Sequence, residues 1–242
     1  MDQGRNKLYY YLNYIALILI ACIFIFPFIW LISTSFKGST QSTFSFPPEF
    51  IPNPVSLENY KNALTQVPFM RYLFNTFALV VLMVPAHILL TALAAFPLAR
   101  MQFRGRNLIF YLIIGTMFLP NEGKLIPLYL IIEKLGMTDS WSGIIFPGLV
   151  GGFSIYLMRQ SYLSISKELD EAAIIDGCGP FAVWWRIILP LTKPTLSALS
   201  IFSFISVWNS FIWPLIVLQN DRLYPISLGL AYLLGTFGYD IK

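Results

Sequence analysis

The chain has 242 residues and a formal net charge of +4, and 57% of its residues are hydrophobic while only 12% are charged. Soluble domains carry roughly a quarter charged residues, so this composition and a mean hydropathy of +0.67 exclude an ordinary soluble domain. The basic residues are scattered along the chain, which gives no support for nucleic-acid binding. Two cysteines are too few for a disulfide framework.

Five apolar runs predict an all-α fold, a polytopic transmembrane helical bundle. Most of them approach the ~17–25 residues that a helix needs to cross a bilayer. Strands of a membrane barrel would alternate apolar and polar residues, whereas the first run is apolar on every face. That run is also too long for a signal peptide and has no small-residue cleavage site behind it. The runs cover 15–32, 74–98, 108–119, 144–158 and 196–217.

The link between the second and third runs fixes the predicted orientation. It contains Arg100, Arg104 and Arg106 and no acidic residue, and short arginine-rich loops stay on the cytoplasmic side. This orientation places the amino terminus and a loop of about 161–194 in the cytoplasm. A loop of about 36–70 then lies outside the membrane. We expect one transmembrane domain over residues 1–242.

His87, the only histidine, lies inside the second run. It is either a packing residue with a hydrogen-bond partner or a functional group within the membrane. No other histidine, cysteine or carboxylate is near it in sequence, so we predict no metal site.

The third run ends in a polar stretch, Pro120 to Lys124, that does not suit a lipid-facing helix. Two interpretations are open. The span ends there and residues 125–137 lie along the outer interface, or a broken helix lines a cavity and Glu122 faces the path of a solute. Four glycines in or beside the fourth run, at positions 143, 148, 151 and 152, predict close contact between helix backbones.

Serines at positions 197, 200, 203 and 206 predict a polar stripe on one face of the fifth span. Such a stripe faces other helices, which it can hydrogen-bond, or a water-filled path for a polar solute. The candidates for a translocation path are Ser203, Ser206, Trp208, Asn209 and Glu122.

The segment "SKELDEAAIIDG" predicts a helix of about ten residues in the cytoplasmic loop. Ser166 suits its N-cap, and Gly177 suits a left-handed exit from its end. Pro180 suits the start of a second short helix, which we expect Pro190 and Pro194 to break. By physical chemistry alone, this pair is either a hairpin that links two spans or a docking surface.

The same segment resembles the EAA motif of the permease subunits of ATP-binding-cassette importers. Seven positions match in identity and spacing: Glu171, Ala172, Ala173, Gly177, Ile187, Leu189 and Pro190. The stretches "PLARMQFRGRN", "IPLYLIIEKLGMTDS" and "VWNSFIWPL" are similar to the carbohydrate-uptake branch, and in particular to its maltose-type second permease.

The resemblance implies that Glu171, Ala172, Ala173 and Gly177 form a coupling helix that docks on a cytoplasmic ATPase dimer. Ile187, Leu189 and Pro190 would anchor the second short helix. The further implied partners are a second homologous permease, an extracytoplasmic solute-binding protein, a sugar substrate and the lipid bilayer of a bacterial or archaeal cytoplasmic membrane.

Two further expectations come from this resemblance. The chain contains no GxxxxGK[ST] motif, so ATP and Mg²⁺ would be bound by the partner ATPase, and the chain itself would be a transport subunit and not an enzyme. The family usually has six core spans, so we expect a sixth span in ~30–40 further residues.

Two other classes of membrane protein serve as alternatives. A proton-coupled secondary transporter would need carboxylates at mid-membrane, and a membrane-embedded enzyme would need a catalytic pair or a metal cluster. Apart from Glu122 near a boundary, the predicted spans contain no carboxylate.

Overall fold

The computed structural model describes residues 3–38, 41 and 49–235, so parts of the predicted 36–70 loop and the last seven residues lie outside it. Within these ranges the only β-pairing is an isolated bridge between Lys37 and Val55. In chain order the helices are α1 (Gln3–Ser35), α2 (Glu58–Gln66), α3 (Phe69–Arg100), α4 (Arg106–Gly115), α5 (Asn121–Lys134), α6 (Trp141–Gly148), α7 (Gly152–Leu163), α8 (Glu168–Ile175), α9 (Pro180–Leu191), α10 (Lys193–Trp208), α11 (Ile212–Val217) and α12 (Ile226–Gly235).

In the described part of the chain, three helical stretches are long and apolar enough to cross a membrane: Tyr9–Ser35, Phe69–Arg100 and Trp141–Leu163. Two bent helix pairs raise the number to as many as five. Residues 106–118 meet α5 at an angle of 109°, and α9 meets α10 at 78°. The predicted all-α membrane bundle is confirmed, and this upper count agrees with the five apolar runs.

The chain divides into two compact units, of which the first contains the described residues up to Phe69. No residue in the most apolar stretch of α1 is buried. Such an exposed apolar helix needs lipid or another protein around it. Its carboxyl end is tied to α2. The Asn59 amide donates to the carbonyl of Lys37 at 2.8 Å, and the Ser35 and Tyr60 hydroxyls lie 2.7 Å apart.

The second unit begins at Met70 and has its main apolar core near the carboxyl end of α3. Tyr162 and Met158 of α7 are fully buried there. Arg159 donates to the carbonyl of Leu98 at 3.0 Å, and its guanidinium lies 3.9 Å from the centroid of the Phe110 ring. These contacts hold α3, α4 and α7 together at one end of the unit.

The opposite end of the second unit is closed by polar contacts between loops. The Asp139 carboxylate accepts from the amides of Gln219 and Asn220 at 2.9 and 2.8 Å. The Asn75 amide donates to the carbonyl of Tyr224 at 3.0 Å. The loop between α5 and α6 and the loop before α12 therefore share one end of this unit.

Three of the four glycines near the fourth span lie where a side chain would meet another segment. A Cβ on Gly143 would overlap the carbonyl oxygen of Met137 and lie 2.9 Å from Val217, and one on Gly152 would lie 2.9 Å from the carbonyl oxygen of Ile113. The predicted close contact between helix backbones is confirmed at Gly152, which faces α4, whereas Gly143 packs against the loop before α6.

We expect Gly143→Ala to destabilise the protein by about 1–3 kcal/mol, because the added methyl group meets a backbone oxygen that cannot move aside cheaply. The measurement is the apparent melting temperature of the detergent-purified protein. Gly115→Ala is the matched control, since nothing lies within 4 Å of a Cβ at that helical position. Equal melting temperatures for the two variants would contradict the close contact.

Candidate functional site

The first part of the candidate site is a short helix with well-defined ends, α8. The N-cap of α8 is Lys167, one residue after the predicted Ser166, and the Ser166 hydroxyl accepts from the amide of Glu168 at 3.3 Å. Gly177 has φ +81, and Cys178 donates its amide to the carbonyl of Ala173 at 2.9 Å. This is a Schellman termination, which favours glycine at that position. The predicted exit at Gly177 is therefore present, and the start of the helix lies one residue later than predicted.

The second short helix, α9, contains a π-helical turn over Trp184–Ile188. The amide of Leu189 donates to the carbonyl of Trp184, five residues earlier. The axis bends by 78° at Thr192, between Pro190 and Pro194 as predicted, although the helix first continues through Pro190 to Leu191. A wider turn is the physical reason, because it relieves the clash between a proline ring and the carbonyl four residues before it.

The α8–α9 hairpin is fixed to the rest of the unit by its inner face. Ala173, Trp184 and Ile188 are buried in the core. Ile187 and Leu189 are partly buried against the same core.

A chain of hydrogen bonds continues this attachment toward α3. The indole nitrogen of Trp184 donates to the Tyr162 hydroxyl at 3.0 Å, which donates to the carbonyl of Ala92 at 3.1 Å. The atoms of these two hydrogen bonds are buried, so each polar atom has a partner in a place where water cannot supply one.

The outer face of the hairpin carries the other positions of the motif. Glu171, Ala172, Gly177 and Pro190 are exposed. Ile174, Ile175 and Phe181 are also exposed, Ile175 by 85%. The motif is thus divided by burial: Ala173 faces the core, whereas Glu171 and Ala172 are available to another molecule.

An ion pair joins α8 to the carboxyl end of α3. A guanidinium nitrogen of Arg100, Nη1, lies 3.2 Å from Asp170 Oδ2, and the other terminal nitrogen donates to the carbonyl of Ile165 at 2.8 Å. Burial raises the pKa of the Asp170 carboxyl, and the nearby Arg100 guanidinium opposes that rise. The arginine link and the α8 loop, which the sequence places on one side of the membrane, therefore share one end of the unit.

The second part of the candidate site is a cavity of about 780 Å³ within the second unit. It lies among α3, α5, α6, α7, α10 and α11, and three of its borders are helix interruptions, at 119–120, 149–151 and 209–211. In a membrane protein, irregular backbone is tolerated where it is buried in protein or lines a water-filled space. The clustering of interruptions here favours a polar path.

Side chains satisfy the carbonyls freed at these interruptions. Lys124 Nζ donates to the carbonyl of Thr116 at 2.9 Å. His87 Nδ1 lies 3.1 Å from the carbonyl of Leu149 and His87 Nε2 lies 2.9 Å from the Ser154 hydroxyl. A carbonyl only accepts, so we assign the proton of a neutral His87 to Nδ1, and Nε2 accepts from the hydroxyl.

His87 therefore has the packing role that the sequence left open, and it also lines the cavity. The sequence offered this role but could not identify the partners, because Leu149 and Ser154 are more than 60 residues away along the chain. The available signal was a lone histidine in one span together with a glycine-rich stretch in another. Among the described residues, no three histidines, cysteines or carboxylates are grouped to hold a metal ion.

Two of the five candidate path residues line the cavity, Ser203 and Ser206. Trp208 and Asn209 do not, because helix α10 ends there; the amide of Asn209 folds back onto the carbonyl of Ile205 at 3.0 Å. Glu122 is exposed outside the lining, although its neighbours Asn121 and Lys124 belong to it. Positions one residue apart on a helix point about 100° apart, which explains this difference.

Comparison with known proteins gives one family match over most of the chain. The family described as binding-protein-dependent transport system inner membrane component matches residues 63–242.

Individual proteins agree with this match. The arabinooligosaccharides transport system permease protein AraQ of Halalkalibacterium halodurans is 31% identical over 100% of this chain and 88% of its own length. The sn-glycerol-3-phosphate transport system permease protein UgpE of Rhizobium meliloti is 33% identical over 90% of this chain and 80% of its own. A further match is a chain from the crystal structure of a bacterial ABC transporter involved in the import of the acidic polysaccharide alginate. It has a TM-score of 0.86 and 26% sequence identity, and the match covers 99% of this chain and 85% of that chain.

We expect Gly177→Val to loosen the end of α8, since a left-handed backbone costs an L-residue about 1–2 kcal/mol. Amide hydrogen exchange measured by mass spectrometry should become roughly fivefold to thirtyfold faster in peptides covering 173–178. The control is Gly179→Val, at φ −74 with open space around it, which should leave exchange there unchanged. Unchanged exchange in the Gly177 variant would contradict the assigned termination.

Proposed function

The chain belongs to the family of binding-protein-dependent transport system inner membrane components, and from this premise we propose that it is the transmembrane subunit of an ATP-driven importer of sugars or related solutes. The membership agrees with the EAA motif. In this proposal the chain forms half of a translocation path. It is a transport component and not an enzyme.

The observation that carries the proposal is the division of the α8–α9 hairpin into a buried inner face and an exposed apolar outer face. Burying an isoleucine or phenylalanine side chain gains about 1.5–3 kcal/mol, so Ile175 and Phe181 favour a partner that covers them. Glu171 adds a carboxylate that makes directional hydrogen bonds. We propose that a cytoplasmic ATPase occupies this face and binds the ATP and Mg²⁺.

The cavity supports a route for a polar solute. Its size lies within the ~300–1,000 Å³ usual for small-molecule sites, which suits a sugar unit or a short oligosaccharide. Ser203 and Ser206 supply hydroxyls, and Trp213 and Phe202 supply apolar surface. The three relatives named above concern arabinooligosaccharides, sn-glycerol-3-phosphate and alginate. A di- or oligosaccharide, or a related solute, is the substrate class we propose.

Membership in the family implies a multi-pass protein of the inner membrane. We further propose an amino terminus in the cytoplasm, with the hairpin on the same side. The arginine-rich link and the hairpin share one end of the second unit, as this orientation requires. A second homologous permease would complete the path, and a solute-binding protein would deliver substrate from outside.

The test is uptake by the importer co-purified with its ATPase and reconstituted with its solute-binding protein in proteoliposomes. We expect ATP-dependent uptake of at least one of three probes: arabinotriose, diacetylchitobiose or sn-glycerol-3-phosphate. Ser206→Phe should lower that uptake at least tenfold, because the ring fills the cavity, while the ATPase remains bound.

Asn209→Phe is the control, since its side chain is exposed and outside the cavity lining. It should leave uptake within twofold of the unsubstituted importer. Equal uptake by both variants would remove the cavity from the path, and purification of the chain without any ATPase would contradict the proposed function.

A further inference from the structure

The ion pair between α3 and α8 has properties that a stabilising contact does not need. The Arg100 side chain is only 3% exposed and that of Asp170 is 18% exposed. Removing two charges from water costs about as much as their attraction returns, so apolar residues of similar size would hold the two helices together equally well. The pKa of the Asp170 carboxyl is raised, mainly because the group is buried. The cost of removing the carboxylate from water therefore outweighs its attraction to Arg100.

The pair is also incompletely joined. Arg100 Nε and Asp170 Oδ1 are both buried, and neither has a hydrogen-bond partner in the part of the chain that the structure describes. An arginine and a carboxylate can form two parallel hydrogen bonds, whereas here one N–O distance of 3.2 Å joins them. Arg100 Nε and Asp170 Oδ1, which a second, parallel hydrogen bond would use, are therefore both available in the buried pair.

The position of Arg100 connects this pair to the cavity. It is the last residue of α3, and the same helix carries Leu79, Met83 and His87 in the cavity lining. His87 is 13 residues from Arg100, about 20 Å along the helix axis. His87 in turn bonds the broken backbone between α6 and α7. α3 thus connects α8 to the cavity lining through one helix, which contains Pro97 between Arg100 and His87.

We propose that Arg100 is a positioning residue that transmits the movement of α8 to α3, and so changes access to the cavity when nucleotide binds to the partner. This inference rests on the proposed function, which places an ATPase on the outer face of α8. Asp170 is the carboxylate through which Arg100 receives the movement. It precedes Glu171, so the inward-facing and outward-facing carboxylates lie next to each other on one helix.

A second connection between the hairpin and α3 provides a control. Tyr162 links Trp184 to the carbonyl of Ala92 by neutral hydrogen bonds. Tyr162→Phe removes those bonds but retains the aromatic packing. It should lower thermal stability without removing the response to nucleotide, because it leaves the ion pair intact.

The experiment uses the whole importer in proteoliposomes, with Cys22→Ser and Cys178→Ser in the background and Val207→Cys as a reporter in the cavity lining. The measured quantity is the rate at which a membrane-impermeant maleimide labels the reporter, without nucleotide and with ATP plus vanadate. We expect at least a fivefold change between these states. Arg100→Met combined with Asp170→Leu should reduce the change below twofold while the ATPase stays bound, and Arg100→Lys should give an intermediate value.

A full nucleotide response in the Met–Leu variant would overturn the transmitting role. Loss of response in Tyr162→Phe as well as in that variant would also overturn it, since any weakening of the interface would then suffice. Absence of the ATPase from the unsubstituted reporter complex would instead contradict the proposed function, and the inference would fall with it.

Discussion

A single constraint organises the second unit: backbone carbonyls inside a membrane need hydrogen-bond donors from the protein itself or from a water-filled space. Three helix interruptions free such carbonyls, at Thr116, Leu149 and Trp208. Lys124, His87 and Ser227 lie opposite them, the last donating to the Trp208 carbonyl at 2.7 Å. Because these interruptions surround one cavity, the same requirement that stabilises the fold also gathers polar groups where a solute can pass.

At the other end of the unit, the α8–α9 hairpin has one face buried in the core and one face exposed. Ala173 and Trp184 fix the hairpin to the core, while Ile175 and Phe181 stay outside it. A rigid element with an exposed apolar face can receive a force from a partner without deforming. The buried ion pair beside it, although of little net stabilising value, gives that force a direct contact with α3.

Local signals in the sequence predicted the hairpin well. Hydrogen bonds within a few residues end α8 at Gly177, so the identity and position of that glycine were sufficient, whereas the helix starts one residue later than a Ser166 cap predicts. The π-helical turn that carries α9 through Pro190 was not predicted, because the sequence shows the proline but not the hydrogen bond from Leu189 to Trp184 that widens the turn. The lining of the cavity was predicted only in part, since the end of α10 turns Trp208 and Asn209 away.

The central proposal is that a cytoplasmic ATPase occupies the outer face of α8. The direct measurement is cysteine-specific crosslinking from Ala172→Cys in the purified importer, with Cys22 and Cys178 replaced by serine. Phe118→Cys, also on an exposed apolar position, is the comparison. We expect a covalent product between the Ala172→Cys chain and the ATPase subunit, and none from Phe118→Cys. No product from Ala172→Cys, or equal products from both positions, would contradict the account.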